Sequence, residues 1–351
     1  MNLSMPSATT LKDPARVLVR EVNWLGDLVI SLPALRAVRR RFATSHLAVL
    51  VRAELAGFFD GCEWIDEVIA FRRGSGIAGL ANQRRIVGEI RRFDLAILFP
   101  NSFSSALWTA LARVPRRIGY ATDARGPLLT DRARPDAEAL AGHQANYWLR
   151  MVKQTIDADG DPADCAITAA PENRERIAPM LAARRKNPAA KLVAIAPAAA
   201  YGPAKEWPAE HYAALIDLMA ARGIESVVIG APAERERCER IAARANDTPI
   251  VAAGETGVGE LIALLSLCDG FIGNDSGAMH LAGALGIPTV AIFGSTNPLR
   301  TGPMGPRVHV IRRAPACSPC LRRTCHFGHY ECLTRITPQE ALETLLAALP
   351  A

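Results

Sequence analysis

The chain has 351 residues, of which half are hydrophobic and 22% are charged. This is enough apolar material for about two ordinary domains, and it excludes a disordered chain. The formal net charge of +6 suits an anionic ligand or surface, while the 6% of aromatic residues, with no basic run interleaving them, predict no nucleic acid partner.

The sequence predicts neither export nor a membrane span. Residues 1–14 are polar and interrupted by proline, and they lack the apolar core of a secretory signal. Residues 276–299 contain no Asp, Glu, Lys or Arg, but Gly286-Ile287-Pro288 interrupts them, which predicts a short helix, a turn and a buried strand. We therefore expect a cytoplasmic protein whose eight cysteines are reduced.

Apolar runs of strand length alternate with longer helical patterns along the whole chain. Strands are predicted over residues 17–20, 47–51, 67–71, 95–99 and 117–120, and then over 192–196, 226–229, 250–251, 270–272, 289–293 and 308–311. Runs such as 95–99 do not alternate with polar residues, so both of their faces should be covered, as in a parallel sheet between helix layers. The fold class is therefore α/β, with two doubly wound units.

Periodicity breaks at the polar stretch 157–162, which predicts a domain division close to it. We expect a first domain over residues 1–165, a second over 166–337 and a C-terminal helix within 338–351. Thr337 as a cap and Pro338 at the first helical position open that helix.

The segment Asn23-Trp24-Leu25-Gly26-Asp27 follows the first predicted strand, and Gly26-Asp27 is expected to open a helix that runs through residues 31–40. Asp27 then lies at the mouth of the first domain. A carboxylate there is either a general base for a sugar hydroxyl or only a favourable acidic residue near a helix start.

The loop after the strand at 192–196 contains one lysine, Lys205, before Trp207-Pro208. Lys205 either neutralises a departing phosphate or lies solvated in the loop, and the second interpretation is favoured from the loop alone.

The strand end Gly273-Asn274-Asp275-Ser276-Gly277 runs directly into a helix predicted over residues 278–285. Ser276 or Asp275 can cap this helix, and Gly277 leaves its first N–H groups open to a pyrophosphate. The alternative is an ordinary capped helix, and His280 either faces the site or packs in the core. Sequence patterns of a P-loop, a dinucleotide fingerprint and a zinc protease are missing from the chain.

Four cysteines cluster late in the chain, at Cys317, Cys320, Cys325 and Cys332. Their spacing is compatible with a tetrahedral zinc ion, but it matches no standard zinc ribbon or finger and the loop is rich in arginine. We assign no metal to them.

Taken together, these segments resemble glycosyltransferase family 9, the ADP-heptose:lipopolysaccharide heptosyltransferases. The matching blocks, which extend over nearly the whole chain, are residues 23–27, 100–107, 117–120, 201–208, 273–280 and 317–332. The blocks Gly-Pro-Ala-Lys-x-Trp-Pro and Asp-Ser-Gly-x-Met-His carry the family resemblance. Pro-Asn-Ser-Phe and the late Cys/His segment favour type II over type I.

The resemblance implies the GT-B fold, in which two Rossmann-like domains face each other across a cleft. It also implies an inverting transferase that needs no metal or other cofactor, with the acceptor on the first domain and ADP-heptose on the second. Ala198-Ala199-Ala200 stands where the pattern Gly-Ala-Glu is commoner in the family. The glutamate of that pattern is missing here, so any role of its carboxylate is in doubt for this chain.

Site residues carried over from the resemblance fall into three groups. Asp27 is implied as the general base and Lys205 as the partner of the leaving pyrophosphate. For the donor, Asp275 is implied to bind the heptose hydroxyls and Glu234 the ribose, while Ser276, Gly277 and His280 line the pyrophosphate. An acceptor loop is implied to comprise Asn23, Trp24, Gly26, Asn101 and Ser102.

The implied acceptor is a heptosyl-Kdo2-lipid A on the inner leaflet, so the protein would bind the cytoplasmic face of the inner membrane peripherally. Either the arginines form a basic surface for it, or they are solvated side chains of a helix face. The candidates are Arg36, Arg39, Arg40, Arg41, Arg72, Arg73, Arg116 and Arg117.

Two other functions stay open at this stage. One keeps the fold but changes the substrate, as in type I or III heptosyl transfer or the use of another nucleotide sugar. The other is a non-catalytic module that binds a nucleotide sugar or phospholipid, which the presence of both Asp27 and Lys205 disfavours.

Overall fold

The computed structural model describes residues 13–72 and 74–349. Two of the predictions concern residues outside these ranges, namely most of the N-terminal segment 1–14 and Arg73. In the first half, the strands are β1 (Arg16–Arg20), β2 (His46–Arg52), β3 (Glu67–Phe71), β4 (Leu95–Leu98), β5 (Arg116–Tyr120) and β6 (Asp131–Ala133). The helices are α1 (Leu25–Arg41), α2 (Gly76–Glu89), α3 (Phe103–Leu111), α4 (Ala137–Ala141) and α5 (Gln144–Ile156).

The second half repeats this alternation. Its strands are β7 (Lys191–Ala196), β8 (Ile224–Val228), β9 (Ile250–Val251), β10 (Gly270–Asn274), β11 (Thr289–Phe293) and β12 (Val308–Arg312). Its helices are α6 (Pro171–Ala182), α7 (Ala209–Ala220), α8 (Arg235–Ala242), α9 (Val258–Ser266), α10 (Gly277–Ala284), α11 (Pro298–Thr301), α12 (Glu331–Thr334) and α13 (Pro338–Ala348).

The strands form two parallel six-stranded sheets with the same topology. The first sheet has the order β3-β2-β1-β4-β5-β6, and the second has β12-β11-β10-β7-β8-β9, which is the first order counted from the other edge. In each sheet the strand order reverses once, between β1 and β4 and between β7 and β10. Ligands of doubly wound sheets bind at the carboxyl ends of strands at such a reversal.

The strands are parallel because long helical crossovers join them, and they are apolar because helices cover both faces. Central strands such as β1 and β10 are almost wholly buried. Each buried Val, Leu or Ile side chain contributes about 1.5–3 kcal/mol of transfer free energy, which makes these runs the foundation of both cores.

One strand of the structure was not predicted from the sequence. β6 escaped notice because Asp131-Arg132-Ala133 is a short edge strand with two charged residues and no apolar run. Helix α1 begins at Leu25, next to its predicted opening at Gly26-Asp27, so Asp27 lies inside its first turn. The other predicted strands are present with ends that differ by up to two residues, and Thr337 caps α13 as predicted.

Residues 276–299 form α10, a turn and β11, as the sequence predicted. Within the described part of the chain, no helix combines the length and the apolar character needed to cross a membrane.

Candidate active site between the two sheets

Helices α1 and α10 meet at their N-terminal ends, where the two halves of the molecule approach each other. A Cβ atom on Gly26 would lie 2.8 Å from Cδ2 of His280, and one on Gly277 would lie 2.9 Å from Cβ of Leu25. Glycine at both positions is therefore required for this close approach. The free N–H groups and positive dipole ends of both helices lie at the same junction.

The second half supplies an ion pair at this junction. Nζ of Lys205 lies 2.6 Å from Oδ2 of Asp275, and their side chains are only 13% and 4% exposed. The hydroxyl of Thr296 donates to the same carboxylate oxygen over 2.5 Å. The solvated alternative for Lys205 is therefore excluded, because its ammonium is held in a fixed and covered position.

Asn274 fixes the loop that carries Lys205. Its Oδ1 accepts hydrogen bonds from the Trp207 N–H over 3.0 Å and from the Tyr212 hydroxyl over 2.9 Å, and its Nδ2 donates to the Pro197 carbonyl over 2.7 Å. Asn274 is fully buried, so these bonds satisfy a side chain that would otherwise destabilise the fold. The strand end β10 thereby anchors both ends of the loop.

Asp27 faces this pair from the first half of the molecule. Burial raises the pKa of Asp27 to about 6, with the nearby Lys205 ammonium lowering it and the Asp275 carboxylate raising it further. Both residues of the pair are thus close enough to act on Asp27 electrostatically. A carboxyl group with this pKa is mostly ionised at neutral pH and is more basic than an ordinary aspartate.

Two buried polar atoms beside the pair lack hydrogen-bond partners. They are the Oγ of Ser276 and the Nδ1 of His280. Ser276 occupies the N-cap position of α10, but its side chain caps no N–H group. Burial lowers the pKa of His280 to about 4, so its ring is neutral at physiological pH. Buried polar atoms without a partner are costly, and they mark a place where a ligand can supply the missing bonds.

Glu234 lies apart from the ion pair, in the turn between β8 and α8. Its Oε2 accepts a hydrogen bond from the Ala231 N–H over 2.7 Å. The side chain is thereby folded back over its own turn.

On the first half of the molecule, a cavity of about 410 Å³ opens beside the carboxyl ends of β1, β3 and β4. Its polar lining includes Arg20, Asn23, Arg72 and Ser102. Arg20 donates to Oδ1 of Asn23 over 2.7 Å and stacks on Phe71, with 4.5 Å from Cζ to the ring centroid. The lining therefore combines two cations with several hydrogen-bonding groups.

The remaining acceptor-loop residues occupy different positions around this edge. Trp24 is 60% exposed at the start of α1, whereas Gly26 packs against His280. Asn101 donates from Nδ2 to the hydroxyl of Tyr147 over 2.8 Å. Asn23 and Ser102 thus line the cavity, Trp24 and Gly26 lie at the start of α1, and Asn101 packs against α5.

Sequence reasoning missed Asn274, Thr296 and Arg125 as site-forming residues. Asn274 and Thr296 are polar residues at or just after the carboxyl ends of strands, where ligands of such sheets bind. This signal was available in the sequence for both. Fully buried Arg125 donates from Nε to the Tyr120 carbonyl over 2.8 Å and from Nη1 to Oγ of Ser105 over 3.1 Å. No pattern in the sequence distinguishes it from an exposed loop arginine.

Most of the candidate arginines are paired within the chain. Six of the candidate arginines are bound to carboxylates or carbonyl groups of the chain itself: Arg36, Arg39, Arg40, Arg41, Arg116 and Arg117. Arg39 to Arg41 end α1, roughly 20 Å from its first turn at 1.5 Å per residue. Arg72 is the described candidate that lines the cavity.

The cysteine-rich loop lies beside the segment that carries Lys205. Cys317, Cys320 and Cys325 are partly exposed, and Cys332 is buried. Among residues 13–72 and 74–349, no three His, Cys, Asp or Glu side chains are arranged to hold a metal ion.

The family model described as Glycosyltransferase family 9 (heptosyltransferase) matches residues 84–331, which is more than half of the chain. The chain belongs to this family. The protein is therefore a glycosyltransferase, and the alternative of a non-catalytic binding module is excluded.

Relatives and solved structures agree with this assignment. Lipopolysaccharide heptosyltransferase 2 of Escherichia coli K12 is 29% identical, over 95% of this chain and 98% of its own length. The structure of E. coli ADP-heptose LPS heptosyltransferase II has a TM-score of 0.80 at 26% identity, covering 95% of this chain and 98% of its own. A family 9 glycosyl transferase from Veillonella parvula, with a TM-score of 0.84 at 23% identity over 95% and 97%, shares the fold. The predicted GT-B fold and the resemblance to type II are confirmed.

Proposed function

We propose that this transferase moves L-glycero-D-manno-heptose from ADP-heptose to the first heptose of the lipopolysaccharide inner core, with inversion. The observation that carries the proposal is the position of Asp27 opposite the ion pair of Lys205 and Asp275, near enough for both to shift its pKa. The sugar, the nucleotide and the acceptor class are those of the similar heptosyltransferases.

In this reaction, the ionised Asp27 takes the proton of the acceptor hydroxyl while the hydroxyl oxygen bonds to the anomeric carbon. The bond between that carbon and the β-phosphate oxygen breaks, and ADP leaves with the bonding electrons. Attack from the side opposite the leaving group inverts the configuration at the carbon.

The second domain supplies the groups for the donor. The N–H groups at the start of α10 and the ammonium of Lys205 stabilise the charge that grows on the pyrophosphate. Ser276 and neutral His280 hydrogen-bond its oxygens, which gives their buried atoms the partners they lack. Gly277 keeps the phosphate approach open. Asp275 binds heptose hydroxyls.

Glu234 is assigned to the ribose of the donor. Its fold-back bond to the Ala231 N–H leaves carboxylate lone pairs for the ribose hydroxyls.

The acceptor occupies the 410 Å³ cavity of the first domain, where Arg20 and Arg72 attract its anionic groups. Exposed Trp24, Leu80 and Phe103 at the same edge suit peripheral contact with the cytoplasmic leaflet of the inner membrane. We propose domain bounds of 1–165 and 166–337, with residues 338–351 as the C-terminal helical segment.

The test uses purified protein, ADP-heptose and truncated lipopolysaccharides that carry no, one or two inner-core heptoses. We expect ADP release and addition of a single heptose only with the one-heptose acceptor, and an inverted anomeric configuration by NMR. Transfer to the acceptor without heptose would reassign the protein to type I, and transfer to the two-heptose acceptor to type III. Turnover of UDP- or GDP-sugars in place of ADP-heptose would overturn the proposed donor.

A further inference from the structure

The charges at the junction of the two halves do not by themselves favour a pyrophosphate. Asp27 and Asp275 contribute two carboxylates, while Lys205 contributes one ammonium that is already paired at 2.6 Å. His280 is neutral. The donor brings two further negative charges, and the leaving ADP carries more than the donor. Without another cation, repulsion between these charges destabilises the bound nucleotide in this covered environment.

The cysteine-rich loop is fastened against the two segments that hold the ion pair. The Ala204 N–H donates to the Arg323 carbonyl over 2.9 Å, and the Leu321 N–H donates to the Ser295 carbonyl over 2.8 Å. A Cβ atom on Gly202 would lie 2.7 Å from the carbonyl oxygen of Arg323, so only glycine permits this contact. The backbone of Arg323 is thereby fixed next to the loop of Lys205.

The side chain of Arg323 shares an aromatic ring with Lys205. Its Cζ lies 5.3 Å from the ring centroid of Tyr201, and Nζ of Lys205 lies 4.8 Å from the same centroid. The Tyr201 hydroxyl donates to the Leu321 carbonyl over 2.6 Å, which holds the ring in place. Cation–π attraction therefore holds both positive groups against the Tyr201 ring.

Arg323 differs from Lys205 in having no counter-charge. Within the described residues it forms no ion pair with a carboxylate, and the residue is exposed to solvent. A guanidinium in this state can bind a phosphate group bidentately at little cost.

From this geometry we propose that Arg323 is a further donor-binding residue, which neutralises the diphosphate of the nucleotide sugar together with Lys205. The inference rests on the proposed function, since it deepens the donor side of that site. It gives the cysteine-rich loop a role in donor recognition that requires no metal.

The test is a charge series at one position in the full-length protein. Calorimetry measures ADP and adenosine binding to the wild type, Arg323→Lys, Arg323→Gln and Arg323→Glu, with Arg322→Gln as the matched control from the same exposed loop. We expect ADP affinity to fall less than threefold for Lys, about tenfold for Gln and further for Glu. Adenosine affinity should stay within twofold throughout, and the loss for ADP should shrink at high salt.

Equal ADP affinity in Arg323→Gln and Arg322→Gln would overturn the proposal. Equal losses for ADP and adenosine would also overturn it, because they would indicate displacement of the loop. If Arg323→Gln is misfolded, Arg323→Lys and Arg323→Glu still test the role of charge. Tighter ADP binding by Arg323→Lys than by Arg323→Glu supports the proposal, and equal or reversed affinities contradict it. If the wild type binds UDP or GDP but not ADP, the proposed donor is wrong, and the same series with that nucleotide decides the role of Arg323.

Discussion

Lys205 and Asp275 form a nearly buried ion pair, with 2.6 Å between Nζ and Oδ2. The pair links the loop after β7 to the strand end of β10, which are the two sides of the reversal point in the second sheet. A buried pair of this kind adds little net stability, because desolvation offsets the attraction of the charges. Its position opposite Asp27 is better explained by chemistry than by folding.

Replacing Asp27 by Asn should lower kcat by a factor of 10² or more, because the acceptor hydroxyl loses its base. Binding of ADP-heptose should stay within twofold of the wild type, as measured by calorimetry. Asp159→Asn is the control, since Asp159 is an exposed carboxylate bound to Lys153. A turnover near that of the control would exclude Asp27 as the base.

The pH profile of kcat/KM should fall tenfold per pH unit below about pH 6, because Asp27 must be ionised to accept a proton. Lys205 lowers the pKa of Asp27, so Lys205→Ala should move the midpoint to higher pH. Asp275 raises this pKa, so Asp275→Asn should move the midpoint to lower pH. Identical midpoints in all three proteins would contradict the electrostatic coupling, whatever the absolute rates.

Thr296 orients Asp275 through its 2.5 Å hydrogen bond. Thr296→Val keeps the shape but removes the donor, and we expect kcat/KM for ADP-heptose to fall about three- to tenfold, the equivalent of one such bond. Thr296→Ser retains the hydroxyl and should recover most of the loss. If both variants behave alike in steady-state kinetics, the hydroxyl has no positioning role.

Gly26→Ala should impair activity without unfolding either domain. The added methyl group would lie 2.8 Å from Cδ2 of His280, so the two halves must separate by several tenths of an ångström or the imidazole must turn away. We expect kcat/KM to fall at least tenfold, since small misplacements of reacting groups are costly. Gly88→Ala is the control, because a methyl group there meets nothing within 4 Å, and it should leave activity unchanged.

Glu21 should make the free energy of unfolding depend on pH, and Glu21→Gln should remove that dependence. Burial raises the pKa of Glu21 from 4.5 to about 7, so the unfolded chain loses this proton first and stability falls as pH rises from 4.5 to 7. Glu21→Gln should therefore be more stable than the wild type at pH 8, by on the order of 3 kcal/mol.

The gain for Glu21→Gln should vanish near pH 4.5, and urea unfolding at both pH values measures it. Gln can still accept the hydrogen bonds of Val22 and Ser31. The control is Glu89→Gln, at a half-exposed residue of α2.

The sequence by itself determined the elements and the family. Unbroken apolar runs such as Leu95–Leu98 specify buried parallel strands whatever their neighbours, and glycine and proline mark where they end. The Gly-Pro-Ala-Lys and Asp-Ser-Gly blocks were recognisable because each is a short, contiguous stretch of sequence that resembles the family's pattern. Short β6 was missed, since it has no local apolar pattern.

Only the tertiary structure decided which of these residues act together. Asp27 and Lys205 are separated by half the chain, and no periodicity relates a carboxylate of one sheet to an ammonium of the other. The covered state of Lys205, the raised pKa of Asp27 and the self-pairing of the α1 arginines depend on burial and on partners distant in sequence. Such properties arise from desolvation and contact, which exist only once both domains have folded against each other.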